Sequence, residues 1–117
     1  MVIALDMMGG DYAPQEAVKG VQLYLAETGA SANLLLVGKQ TEIENLLTEN
    51  KISSSAITTV HADEVIDMHE HPTKALKEKQ KSSIAIGFNL LASGKADAFI
   101  SAGNTGAMLV GALFSIK

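Results

Sequence analysis

Short runs of branched apolar residues recur along this chain, and segments with helical periodicity separate them. The run over residues 34–37 is apolar at every position, which is typical of a central parallel strand that is covered on both faces. The runs that predict strands cover residues 2–5, 34–37, 56–60 and 98–100. Because helical patterns lie between them, the sequence predicts βαβ units and a mostly parallel sheet in an α/β fold.

Helix signals follow three of these runs. Pro14 predicts the first helical position of a helix that Gly29 closes, and Thr41 to Glu44 has the form of a capping box for the next helix. A third helix is predicted over residues 82–93, where the internal Gly87 indicates close approach by a neighbouring element. Residues 63–81 predict a loop with a short helix.

The final predicted helix, residues 104–116, is apolar nearly all round. Such a helix is typical of a buried element, so we expect more protein around it than this chain supplies. With 117 residues and no linker-like stretch, the chain is predicted to be one part of a single α/β domain, without an internal boundary.

Composition and charge exclude several classes of protein. The apolar fraction is 47% and the charged fraction 19%, which is typical of a globular protein, and the net charge of −4 gives nucleic-acid binding no support. The absence of cysteine excludes disulfides and thiolate catalysis within the chain. No apolar stretch reaches the roughly 20 residues of a membrane span, and the start is not signal-like, so a cytoplasmic protein is expected.

Two glycine-containing loops follow predicted strands, where open parallel sheets bind ligands. The loop after the fourth strand ends in Gly103, Asn104, Thr105 and Gly106 and opens a helix. Free N–H groups and the dipole of a helix start favour an anion, so these four residues are the predicted anion contacts. The alternative interpretation is an ordinary helix cap with glycines that are needed for packing.

The loop after the first strand holds two glycines between two acids: Asp6, Gly9, Gly10 and Asp11. Two carboxylates repel a bare phosphate, so we expect them to accept backbone hydrogen bonds and fix the glycine turn, or to meet a cation or donor. For Asp11 the alternative is helix capping. Neither loop has a dinucleotide or P-loop fingerprint, and no cofactor is predicted.

The histidines could bind a metal or act in acid–base catalysis, and the sequence supports both interpretations weakly. His69, Glu70 and His71 lack an evident third metal ligand, so a solvated loop is favoured and no metal site is predicted. His61 follows the third strand and is interpreted as a hydrogen-bonded structural histidine rather than an acid–base catalyst.

Polar residues before the third helix have two interpretations each. Ser82 and Ser83 cap that helix or help to hold an anion. Lys74, Lys77 and Lys81 share a face if residues 73–81 are helical, and that face is either solvated or docks an acidic partner.

Together these segments resemble a known family. The chain is similar to the bacterial acyl-acyl-carrier-protein:phosphate acyltransferases of phospholipid synthesis across essentially its whole length. The matching segments are residues 3–14, 36–38, 61–66, 79–83 and 101–107.

The resemblance implies a three-layer α/β/α sandwich related to the isocitrate and isopropylmalate dehydrogenases, of which this chain is an amino-terminal part. It implies transfer of a fatty acyl group from acyl carrier protein to inorganic phosphate by a homodimer in the cytoplasm, with peripheral contact to the inner face of the membrane through parts outside this chain. Asp6, Gly9, Gly10, Asp11, Ser82, Ser83 and residues 103–106 are the expected substrate contacts, and no catalytic residue is singled out. The rival hypotheses are a dehydrogenase of the same architecture and a non-catalytic module that docks a carrier protein or binds anions.

Overall fold

The computed structural model describes residues 1–28 and 31–115. Within them, strands and helices alternate for most of the chain. The strands are β1 (Val2–Asp6), β2 (Asn33–Gly38), β3 (Ile57–His61) and β4 (Ala98–Ile100). The helices are α1 (Gln15–Thr28), α2 (Gln40–Glu49), α3 (Pro72–Glu78), α4 (Ser83–Ala92) and α5 (Thr105–Ser115).

The described strands form one parallel sheet in the order β3-β2-β1-β4. In the register, Leu5 of β1 lies between Leu36 of β2 and Ile100 of β4. The chain moves outward from β1 through β2 to β3, and then returns to place β4 on the other side of β1. The strand order therefore reverses between β1 and β4, which makes their carboxyl ends a topological switch point.

Apolar side chains cover the sheet on both faces because the strands are apolar on both faces. On one face, Ile3 and Leu5 pack with residues of α1 and α2, including the fully buried Ile43. On the other face, Ala4 packs with Leu90 of α4. A further cluster joins α3, α4 and α5 through Ala75, Ile84, Phe88 and Ala107. The predicted three-layer α/β/α class is confirmed.

Several local predictions are confirmed as well. Helix α4 begins after Ser82, ends before Gly94, and Gly94 takes a left-handed φ of 79°. A side chain at Gly87 would place its Cβ 2.2 Å from the Phe99 ring, so the close approach that Gly87 indicated is real. The segment over residues 63–81 is a loop followed by the short helix α3.

Other local predictions are wrong in detail. Helix α1 begins at Gln15 rather than Pro14, since residues 11–14 form a turn before it. The capping box at Thr41 does not form: Lys39 is the N-cap residue, and the Gln40 N–H donates to Nδ1 of His61 at 3.2 Å instead. A side chain at the end of β3 therefore accepts a hydrogen bond from the first N–H of α2. The predicted closure at Gly29 and the helix end at Ile116 lie outside the described residues.

Helix α5 is buried on one side only. Ala107 and Gly111 are buried against neighbouring elements, whereas Leu109, Leu113 and Phe114 are 63%, 65% and 74% exposed. The apolar outer face predicted for a buried helix is uncovered in this chain. None of the helices among the described residues has the length and hydrophobicity to cross a lipid bilayer.

Candidate functional site

The two predicted glycine loops meet at the switch point, and Asp6 joins them. Its Oδ1 accepts a hydrogen bond from the Met8 N–H at 2.9 Å, within the first loop. Its Oδ2 accepts from the Ser101 hydroxyl at 2.7 Å, and Ser101 Oγ in turn accepts from the Gly103 N–H at 2.9 Å. Asp6 is 4% exposed, so these donors replace the water that a buried carboxylate loses.

The loop backbones touch where Gly9 faces Gly103. A Cβ at Gly9 would lie 2.6 Å from the Gly103 nitrogen and 2.8 Å from Oδ2 of Asp6, distances that no side chain tolerates. Gly10 has a φ of +94°, a left-handed conformation that favours glycine. The two glycines therefore let the first loop turn back directly against the second.

Asn104 caps helix α5 and also ties the helix start to a distant loop. Its Oδ1 accepts from the Ala107 N–H at 2.9 Å, as an N-cap side chain does. Its Nδ2 donates to the carbonyl oxygens of Asp67 at 2.9 Å and Glu70 at 3.0 Å. The side chain is 4% exposed and has a structural task, so its predicted contact with an anion stays a prediction.

Helix α5 presents its first turn beside these loops. Thr105 is exposed at the start of the helix, and the N–H groups of Thr105 and Gly106 lie where backbone amides have no intrahelical partner. A Cβ at Gly106 would lie 2.3 Å from Cγ of Pro72, so the missing side chain lets α5 pack against α3. The positive end of the α5 dipole thus lies at the switch point with two backbone donors.

Asp11 lies in the turn before α1 and is exposed. It lines two cavities together with Gly10. The larger, about 560 Å³, has apolar walls from α1 and the sheet, including Leu5, Val21 and Ile100. The smaller, about 340 Å³, lies between the first loop and residues 65–69.

Ser82 and Ser83 are buried, with 0% and 1% exposure. The Ser82 hydroxyl accepts from the Ala85 N–H at 3.2 Å and caps α4, as one of its two interpretations foresaw. Behind the second loop, Ile84 of the same helix would lie 3.3 Å from a Cβ at Gly103. The start of α4 therefore supports the site from behind, and a role for either serine in anion binding stays a prediction.

Residues 69–71 serve the loop before α3. His71 caps α3 by accepting from the Lys74 N–H at 3.4 Å. Glu70 forms an ion pair with Lys79 at 2.8 Å, and this hydrogen-bonded ammonium lowers the pKa of Glu70 below its ordinary value of 4.5. Both ring nitrogens of His61 have partners, because Nδ1 accepts from the Gln40 N–H and Nε2 contacts Asp63. This agrees with the interpretation of His61 as a structural histidine.

The three lysines do not share one helix. Lys74 and Lys77 are exposed on α3, but the helix ends at Glu78 and Lys81 lies beyond it. The condition for a single basic helical face is therefore not met.

Ser101 is the site residue that the sequence prediction omitted. It follows β4 directly, just as Asp6 ends β1, and the register pairs Leu5 with Ile100 immediately before them. A polar residue at the end of a strand was the available signal. Its significance depended on β4 lying next to β1, which the sequence pattern does not specify.

Comparison with known proteins places the chain in a family. A family model described as fatty acid synthesis protein matches residues 1–117. The chain belongs to this family. Curated relatives named phosphate acyltransferase include those of Dictyoglomus turgidum, 51% identical over 113 residues, and Dictyoglomus thermophilum, 48% identical over 113 residues. Each alignment covers 97% of this chain and 33% of the relative.

A third family relative, the phosphate acyltransferase of Thermoanaerobacterium thermosaccharolyticum, is 43% identical over 116 residues, with 99% of this chain and 33% of the relative covered. The chain therefore spans about a third of the length of these curated relatives. The resemblance noted in the sequence is confirmed at the level of the family.

Proposed function

We propose that this chain is part of an enzyme that transfers a fatty acyl group from an acyl carrier protein thioester to inorganic phosphate. The observation that carries the proposal is the family match together with relatives named phosphate acyltransferase. The geometry adds a compatible anion position, because the two glycine loops and the first turn of α5 meet at the switch point of the sheet. Because the relatives are about three times as long, the complete protein is the unit that reacts.

Phosphate would bind at the start of α5. The N–H groups of Thr105 and Gly106 and the helix dipole favour a bound anion. The carboxylate of Asp6 is close to this region, but both of its oxygens already accept hydrogen bonds, from Met8 and Ser101. Those donors reduce the repulsion between Asp6 and a phosphate.

The reaction needs positioning more than acid–base assistance. A phosphate oxygen attacks the thioester carbonyl carbon, a C–O bond forms, and the carbonyl oxygen becomes an oxyanion. The C–S bond then breaks and the carrier thiolate leaves, which is favourable because a thiol has an ordinary pKa of about 8.5. Gly10 lines both cavities, so its bare backbone would allow a reacting group to approach main-chain donors closely, as oxyanion stabilisation requires. Gly9 would support this arrangement by letting the first loop pack against Gly103.

The α5 start can be tested with a charge at Thr105. An acid in the first turn of a helix stabilises it by about 0.3–1 kcal/mol, so Thr105→Glu should fold at least as well as the wild type. The same charge should repel phosphate and raise its KM about tenfold more than the neutral, similarly sized Thr105→Gln does. Acyl phosphate is followed by phosphorus NMR with acyl carrier protein thioester and phosphate as substrates of the complete protein.

Two results would count against the proposal. Equal phosphate KM values for the Glu and Gln variants would remove α5 as the phosphate site. Failure of the complete wild-type protein to form acyl phosphate would remove the assigned reaction.

A further inference from the structure

The segment over residues 63–71, between β3 and α3, has little regular structure, yet contacts hold it on two sides. On one side, two of its carbonyl oxygens accept from Asn104, the cap of α5. On the other side lies Lys79, at the end of α3. We call residues 63–71 the bridging segment.

The ammonium group of Lys79 contacts the bridging segment at two separate residues. Lys79 Nζ donates to the Val65 carbonyl at 3.0 Å and to Oε2 of Glu70 at 2.9 Å. The same Glu70 carboxylate accepts from the Asp67 N–H. The ion pair therefore shapes the stretch whose carbonyls hold Asn104.

A continuous series of hydrogen bonds thus runs from Lys79 to the start of α5. It passes through Glu70 to the Asp67 backbone, from the Asp67 carbonyl to Asn104, and from Asn104 to the Ala107 N–H. The Lys79 and Glu70 side chains are each 32% exposed, which distinguishes them from a fully solvated pair. Exposed ion pairs contribute little stability by themselves, but this ammonium also donates to the Val65 carbonyl, so its two partners in the bridging segment point to a role in geometry.

We propose that Lys79 and Glu70 are positioning residues for the anion site at the start of α5. They hold the bridging segment so that its carbonyls orient Asn104, and Asn104 then fixes the first turn that presents the Thr105 and Gly106 N–H groups. This inference rests on the proposed function, in which the first turn of α5 binds phosphate. Neither residue contacts the anion in this arrangement.

The main test uses Lys79→Met in the complete protein, with Lys79→Arg as the conservative variant. Lys19→Met is the matched control, because Lys19 pairs with Glu16 at 3.4 Å on the surface and both side chains are more than 60% exposed. Lys79→Met should raise the phosphate KM about tenfold, since small displacements of a positioned group are costly. The kcat and the KM for the acyl donor should change less than about twofold, because ground-state phosphate binding is what is lost.

The conservative variant should recover most of the phosphate affinity, and Lys19→Met should leave both KM values as in the wild type. If Lys79→Met fails to fold, Glu70→Gln serves as the milder variant with the same expected split. A variant that loses stability but keeps the wild-type phosphate KM would overturn the positioning role and leave an ordinary structural ion pair.

A second readout separates this inference from the proposed reaction. Nuclear magnetic resonance of the Asn104 side-chain amide and hydrogen exchange at the Ala107 N–H report the cap directly, without any substrate. Lys79→Met should shift the former and accelerate the latter, whereas Lys19→Met should do neither. An unchanged Asn104 cap would refute the inference even if the wild type makes acyl phosphate, and a changed cap would support it even if the substrate proves to be another anion.

Discussion

Replacing Gly9 by alanine tests whether the two glycine loops are in contact. The added Cβ would lie 2.6 Å from the Gly103 nitrogen and 3.0 Å from its Cα. The Asp6 oxygen at 2.8 Å is held by the Ser101 hydroxyl, and the Gly103 backbone is tethered through its N–H to the same hydroxyl. The strain must therefore be relieved by separating the loops.

The expected cost is that of overpacking, about 1–3 kcal/mol. For a domain of this size, about 4 °C of melting temperature is lost per kcal/mol, so Gly9→Ala should melt about 4–12 °C below the wild type. Gly20 provides the matched control. It lies within α1, and a Cβ there would meet nothing within 4 Å. Gly20→Ala should therefore stabilise the protein by about 0.5–1 kcal/mol through helix propensity.

The assay is urea unfolding followed by circular dichroism, with thermal melting as a second measure. A lower urea midpoint with an unchanged slope would show lost stability rather than a change in the unfolded state. Phosphate affinity of the complete protein should also fall in Gly9→Ala and not in Gly20→Ala, because only the former displaces Gly103. If Gly9→Ala unfolds at the wild-type midpoint while Gly20→Ala behaves as expected, the contact between the loops is refuted.

Three further changes probe the same network. Ser101→Ala removes a donor to the buried Asp6 and should destabilise the protein by about 1–3 kcal/mol in urea unfolding. Asn104→Asp keeps an acceptor for the α5 cap but turns a carboxylate toward backbone carbonyls, and a similar loss of about 1–3 kcal/mol is expected by the same method. The pKa of Glu70 is lowered in the folded state, so its pair with Lys79 stabilises the fold fully above the ordinary pKa of 4.5. That stabilisation is lost as pH falls through the lowered pKa. Urea midpoints from about pH 6 to about pH 3 should therefore show an acid-dependent loss that is smaller in Glu70→Gln than in the wild type.

Each of these changes has an exposed counterpart. Ser93→Ala removes a surface hydroxyl that donates to the Leu90 carbonyl, and Asn50→Asp removes a surface amide that donates to the Leu46 carbonyl. Glu16→Gln breaks the exposed pair with Lys19. Ser93→Ala should change stability by less than about 0.5 kcal/mol. Asn50→Asp and Glu16→Gln also alter the charge at a helix end and should change it by less than about 1 kcal/mol. Effects as large as those at Ser101 or Asn104, or an acid profile of Glu70→Gln that matches the wild type, would contradict the roles assigned here.

The sequence determined the local elements of this protein because their causes are local. An apolar run such as residues 34–37 predicts a buried strand, and Ser82 and Gly94 bound α4 through the ordinary chemistry of helix ends. The glycines and the acid Asp6 also indicated where a site would form, since ligands bind beyond the carboxyl ends of parallel strands. Even here tertiary contacts intervened, because His61 replaced the predicted Thr41 cap of α2.

The partners of the site residues were decided by tertiary structure. Asp6 and Ser101 are 95 positions apart, and they meet because β4 pairs with β1 rather than with β3. Asn104 reaches carbonyls more than 30 positions earlier, where no spacing rule applies. Periodicity records which face of an element is buried, whereas the choice of neighbour depends on how whole elements pack. The sequence could therefore predict the two loops, and only the fold could join them through Asp6.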